Sequence, residues 1–230
     1  MIPQKLKIVI ATNNLHKAGE MLRILEGVRH YGVVRRPPHS IGGQIVRQSH
    51  NGGQFEFKTL ADFPDAPEVK EDGLTLEENA IIKARSAAVF TGLPALADDT
   101  GLEVDALDGA PGVFSARYAG PARSYVKNNI KLLAVLAGLP AAKRSARFRC
   151  VVALVYPGGK YITAQGLLEG FITIRARGKG GFGYDPVFEV KTLGKTLAEL
   201  SPAEKNSISH RAAALRAMFK LLKVEGCPPK

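Results

Sequence analysis

FRCVVALVYPGGKYITAQGLLEGFITI, residues 148–174, places two apolar runs on either side of Pro157-Gly158-Gly159. Runs rich in branched and aromatic residues read as strands, and a Pro-Gly-Gly break between them reads as the turn of an antiparallel hairpin. Upstream the pattern differs. LKIVIA, residues 6–11, is a short buried strand followed by the polar turn Thr12-Asn13-Asn14. From His16 to Leu25 the apolar residues Met21, Leu22, Ile24 and Leu25 sit among charges, which reads as a helix stopped by Gly27.

A capping box, Thr75-Leu76-Glu77-Glu78, starts a second helix that runs to about Thr91 and ends at Gly92 and Pro94. Ala95 to Ala97 then forms a short strand that delivers Asp98-Asp99 at its end. Pro121 to Leu136 is helical, with Val126, Ile130, Leu133 and Leu136 as the apolar stripe. Ser201-Pro202-Ala203-Glu204 is a second capping box, with proline where the first helical turn tolerates it. A last helix spans about Ser209 to Val224. Strands alternate with helices first and a hairpin follows, so the fold class is α/β with a mixed sheet between helices. Residues 35–55 combine a Pro-Pro pair, two Gly-Gly pairs and little periodicity, and read as a long loop.

The 230 residues, 45% hydrophobic and 23% charged, suit one folding unit and exclude disorder, collagen and coiled coil. No stretch approaches the roughly 18 apolar residues of a membrane span, and Met1 to Lys7 lacks a signal peptide's apolar run. The expectation is a soluble cytoplasmic protein with no membrane partner. Cys150 and Cys227 form no paired motif, and the five histidines lack metal-ligand spacing, so disulfide and zinc scaffolds are not indicated.

The net charge of +11 is unevenly distributed. Residues 1–60 hold nine basic and three acidic side chains, residues 61–122 four and twelve, and residues 123–230 nineteen and six. An acidic middle between basic flanks suits a polyphosphate bound through a divalent cation, whereas it would repel a nucleic-acid backbone. A nucleic-acid partner is therefore disfavoured.

Four segments carry chemistry. Thr12-Asn13-Asn14 with Lys17 sits where a strand gives way to a helix, so backbone N–H groups and the helix dipole face any anion there. Asp98-Asp99-Thr100, with Glu71 upstream, offers carboxylates to a hard cation and one carboxylate as a base; adjacent residues on a strand point to opposite faces, so one aspartate faces the site. Gly178-Lys-Gly-Gly-Phe-Gly183 fits the dinucleotide fingerprint in spacing alone, because Tyr184-Asp185-Pro186 bars the helix that must follow. In its place Phe182 offers a face for a planar ring and Asp185 an acceptor for ring N–H groups. Lys205 and His210-Arg211, at the start of the last helix, supply a phosphate ligand and donors to a base carbonyl.

Taken in series, ATNNLHK (11–17), EDGLTLEENAIIKA (71–84), LADDTGLEVDALDGAPGVFSARYAG (96–120), GKGGFGYDPVF (178–188) and SPAEKNSISHR (201–211) resemble the inosine triphosphate pyrophosphatase family across nearly the whole chain. The resemblance implies an α/β fold of two lobes with the active site in the cleft between them, usually in a homodimer. It implies Mg²⁺-dependent hydrolysis of ITP, dITP and XTP to the monophosphate and pyrophosphate. Residue by residue it implies that Thr12, Asn13, Asn14, Leu15, His16 and Lys17 form the substrate loop. Glu71 and Asp99 would hold the metal, with Asp99 as proton acceptor and Thr100 beside it on the substrate. Phe182, Gly183, Tyr184 and Asp185 would hold the base, Lys205 the phosphate, and His210 and Arg211 the base edge. Thr100 stands where the family commonly has serine, and Asn13 where many members have a small residue. The segment between Lys17 and Glu71 is longer than the family's, with the surplus near residues 34–55. The alternatives are a pyrophosphatase for another modified nucleotide and a basic nucleic-acid-binding protein.

Overall fold

The computed structural model describes residues 5–29 and 55–224. The long loop read at residues 35–55 lies outside the described residues except for Phe55. Strand β1 (Leu6–Ile10) leads into helix α1 (Leu15–Arg29). Strand β2 (Phe55–Thr59) follows, beginning at the last residue of the expected loop, with Phe55 and Phe57 on one face. Helix α2 is Leu76–Thr91, strand β3 Ala95–Val104, β4 Pro111–Gly112 and helix α3 Tyr125–Val135. The hairpin strands are β5 (Ser145–Val155) and β6 (Tyr161–Ile172); β7 (Phe188–Val190), α4 (Pro202–Ile208) and α5 (His210–Val224) complete the chain.

The strands form one mixed sheet in the order β2-β1-β3-β5-β6-β7, with β4 on β3. The β1 contacts to β2 and β3 are parallel, as helical crossovers require, and every pair from β3 onward is antiparallel. The hairpin at Pro157–Gly159 is as expected.

Both capping boxes form. Thr75 accepts from the Glu78 N–H while Glu78 accepts from Thr75, and Gly92 ends α2 at φ +66°, a conformation glycine adopts without the steric cost of a Cβ. Ser201 and Glu204 do the same for α4, with Pro202 at its first position.

Three expectations need correction. Gly27 does not stop α1, which continues to Arg29; an interior glycine costs only about 1 kcal/mol, less than the packing of Met21, Ile24 and Leu25 returns. Strand β3 does not end at Ala97 but pairs with β5 over ten residues, so Asp98 and Asp99 stand mid-strand rather than at its end. Charged residues in a central strand persist there because cations meet them from both faces. Helix α3 begins only after its cap Ser124, and Val126 and Ile130 point outward at 68% and 63% exposure while Leu132 and Asn128 are buried. Asn128 holds its inward position by accepting from the Ala119 N–H and donating to the carbonyls of Ser115 and Ala116.

Three apolar clusters explain where a cleft opens. One face of β1, β3 and β5 packs on α1 and α5 through Ile8, Ile10, Leu96, Val152, Leu154, Leu215 and Met218. The other face packs on the alanines of α2 through Val9, Ala95, Ala97 and Ala153. The far ends of β3, β5 and β6 belong to a third cluster with α3 and β7, built on Leu102, Val104, Leu132, Phe148 and Phe188. Residues 98–100 lie where the long strands pass from the first lobe to the second. Gly166 lets α5 lie against β6, since a Cβ there would overlap the His210 carbonyl and the Ala214 amide. Among the described residues no helix is long and apolar enough to cross a membrane.

Candidate active site

A cleft of about 300 Å³ opens between the lobes, lined by Thr12, Asn13, Asn14, Lys17, Glu71, Asp99, Thr100, Phe182, Gly183, Tyr184, Asp185, Lys205, His210 and Arg211. Of the site residues that the family resemblance implies, only Leu15 and His16 do not line it, and of the two adjacent aspartates Asp99 lines it and Asp98 does not. Leu15 is 81% exposed, and the His16 ring stacks on Phe182 with centroids 5.4 Å apart.

The turn between β1 and α1 is built by its own side chains. Thr12 Oγ1 accepts from the Asn14 N–H, and Asn14 Oδ1 accepts from the N–H groups of His16 and Lys17, capping α1. The Asn14 amide donates to the Tyr125 hydroxyl, which joins this turn to α3.

The two aspartates of β3 point to opposite faces, as strand geometry demands. Asp99 faces α2, where Lys83 Nζ stands 3.0 Å from its Oδ1 and 2.8 Å from Glu71 Oε2. Burial alone would raise the Glu71 carboxyl, but the Lys83 charge and hydrogen bond, with Lys17 and Arg123, hold it below the usual carboxylate range. Lys83 is in turn held protonated: Asp99, Asp98 and Glu71 together outweigh its desolvation. Sequence reading missed Lys83. Its one signal is its place on α2 four residues after the buried Asn79, on the alanine face that packs the sheet.

Asp98 faces α1 and α5. Its Oδ2 accepts from Lys17 at 3.2 Å, from Arg211 Nη2 at 3.0 Å and Nε at 3.2 Å, and from the Thr100 hydroxyl. Against the desolvation penalty, Lys17, Arg211 and Lys83 keep this fully buried carboxyl ionised far below its ordinary range. Arg211, only 1% exposed, also donates to Glu20 and to Thr100 Oγ1, so its guanidinium is held by protein partners while touching the cleft.

At the other end, Asp185 Oδ2 accepts from the Phe182 N–H at 2.7 Å and from Lys205 Nζ at 2.6 Å. This closes the turn carrying Phe182, and Gly181 at φ +71° leaves the room that Asp185 needs. Burial raises the Asp185 carboxyl in spite of Lys205. Lys205 Nζ also lies 4.5 Å from the Phe182 ring centroid, a cation over an aromatic face. Asn129 donates to the Gly183 carbonyl and Tyr184 donates to the Ser115 carbonyl, anchoring the turn to the α3 side. His210 stacks on Phe148 at 4.5 Å; burial first, then Arg211, Lys205 and Lys17, keeps it neutral well below its ordinary value, with Asp98 opposing. Its Nδ1 is buried without a partner among the described residues.

Glu71 and Asp99 offer only hard oxygen donors, and both already converge on a cation, the Lys83 ammonium. Among the described residues no three His, Cys, Asp or Glu side chains gather at one point. Such a pair fits an ion such as Mg²⁺ that takes one or two carboxylates and completes its shell with substrate phosphates.

A mixed α/β fold whose inter-lobe cleft carries a helix-start turn, a carboxylate–lysine cluster and an aromatic turn defines a nucleotide-binding class of site. Residues 8–221 match the Ham1 family, and the chain belongs to that family. It is 49% identical over 209 residues to a dITP/XTP pyrophosphatase of Geobacter sulfurreducens, covering 91% of this chain and 92% of that one. It is 49% identical to a dITP/XTP pyrophosphatase of Elusimicrobium minutum over 95% of this chain and all of the relative. The solved HAM1 protein of Coxiella burnetii superposes with a TM-score of 0.75 at 40% identity, covering 95% and 99% of the two chains.

Proposed function

We propose that this chain hydrolyses the non-standard purine nucleoside triphosphates ITP, dITP and XTP to the monophosphate and pyrophosphate. The observation that carries the reading is the joining, in one cleft, of a cationic helix-start turn, the Glu71–Lys83–Asp99 cluster and the Phe182 turn with a neutral histidine. Family relatives named dITP/XTP pyrophosphatase, alike over nine-tenths of both chains, support it.

In this mechanism the Lys17 ammonium, at the start of α1, takes phosphate oxygens. Asp99 accepts the proton of a water that attacks the α-phosphorus, and pyrophosphate leaves. Glu71 and Asp99 would hold Mg²⁺, which when bound neutralises phosphate charge. Lys83 fixes both carboxylates in direction and helps hold the Glu71 carboxyl below the usual carboxylate range. Catalysis then rests on positioning and electrostatics, with no covalent intermediate.

Phe182 stacks the base. A neutral imidazole has a single N–H, and His210 offers it to a 6-oxo group; adenine's amino group would meet that donor with another and leave it unpaired. Residues 1–230 act as a single unit on a nucleotide substrate, in the cytoplasm and as a homodimer, with no membrane partner and with nucleic acid disfavoured as one.

The test incubates purified protein and Mg²⁺ with ITP, XTP, dITP, GTP and ATP separately and identifies the phosphate released. Pyrophosphate from the first three with little from ATP is the expected result. Orthophosphate would move the attack to the γ-phosphorus, and no turnover of ITP, XTP or dITP, with a modified pyrimidine triphosphate run alongside and hydrolysed instead, would replace the substrate class.

A further inference from the structure

Glu20 of α1 is 3% exposed and does not line the cleft, so no substrate can touch it. Its two carboxylate oxygens nevertheless serve two cations that do. Oε2 accepts from Arg211 Nη1, and Oε1 stands 3.2 Å from Lys205 Nζ. The neighbouring pairs extend this link in both directions. Arg211 continues to Asp98 at 3.0 Å and thence to Lys17 at 3.2 Å, while Lys205 continues to Asp185 at 2.6 Å, which closes the Phe182 turn. Six alternating charges therefore run from the substrate turn to the base turn, three cations and three carboxylates, and Glu20 is the link that joins the two halves.

We infer that Glu20 is a positioning residue for base recognition, acting through Lys205 and Arg211: by holding both cations from beneath, it sets where the Phe182 turn stands relative to β3. The inference rests on the nucleotide reading above and deepens it. Chemistry makes the role specific to a carboxylate. A glutamine of the same size presents one oxygen and one NH₂ group, so one of the two cations would face a donor and have to turn away. The Glu71–Lys83–Asp99 cluster lies on the opposite face of β3 and keeps its own contacts.

The experiment compares wild type and Glu20→Gln with dITP and ATP in steady-state kinetics, beside thermal unfolding of each. Expected is a KM for dITP raised about tenfold, the scale of one charge-assisted hydrogen bond, with kcat changed by less than about threefold and the KM for ATP nearly unmoved, so that discrimination narrows. A second reading titrates inosine monophosphate without metal, where the same tenfold weakening is expected. A merely structural glutamate would lower the unfolding temperature and leave KM and the dITP-to-ATP ratio in place, which overturns the inference. Should Glu20→Gln not fold, Glu20→Asp decides: it keeps the charge with shorter reach, so KM rises about threefold at constant kcat, and an unchanged KM is the contrary result. Wild-type protein inert toward dITP would instead sink the nucleotide reading, and this inference with it.

Discussion

His210 gives the fold a sensitivity to acid that can be isolated by one substitution. Its ring is buried against Phe148 and hemmed by the cations Arg211, Lys205 and Lys17, with Asp98 as the opposing charge, so the folded protein takes up its proton only well below the ordinary value of 6.5. The unfolded chain takes it up near 6.5. Above that pH both states carry a neutral imidazole and the residue contributes no pH dependence. As the pH falls below it the unfolded state binds a proton that the folded state refuses, and stability is lost at about 1.4 kcal/mol per pH unit. Between pH 7.5 and pH 5 the loss integrates to about 2 kcal/mol. Carboxylates titrate in the same range, so the comparison is with His210→Gln, which keeps their contribution and removes the imidazole. The assay is urea unfolding followed by circular dichroism at half-unit steps from pH 7.5 to 5. Wild type should lose about 2 kcal/mol more than the variant over that interval. Parallel stability curves would mean that the ring accepts its proton in the folded state, and would refute the assignment of a neutral His210 to the cleft.

Asp99→Asn should leave the unfolding transition intact and lower kcat for dITP by about 10²-fold or more, the range for losing a general base; near-normal turnover would remove Asp99 from that role. Lys83→Met removes the cation that Glu71 and Asp99 share, leaving Glu71 only Arg123 at 4.0 Å, and, discounted for their partial exposure, should cost about 2 kcal/mol of unfolding free energy at pH 7, read by urea titration. Gly166→Ala forces a methyl group into the backbone of α5 and should cost about 3 kcal/mol or prevent folding, with the unfolding midpoint as the measure.

Local rules carried much of the architecture. The hairpin turn, the two capping boxes and the glycine after α2 are decided by residues within a few positions of each other, so a linear reading finds them. Strand β2 escaped because five residues at an edge carry little periodic signal, and α3 was misfaced because Asn128 takes an inward place for the sake of carbonyls a dozen residues away.

Identity and spacing of the chemical segments, and hence the family, were legible in the sequence alone. The opposite facing of Asp98 and Asp99 was also legible, since it follows from strand geometry. What the tertiary structure decided is the pairing. It placed Lys83 between Glu71 and Asp99, spent Arg211 on Asp98 and Glu20, turned Asp185 to Lys205, and set Leu15 outside the cleft. A charge in a sequence has no partner until the sheet brings α1, α4 and α5 to one face of β3 and α2 to the other. Its strength depends on that burial, because a carboxylate out of water is stable only beside the cation the fold supplies.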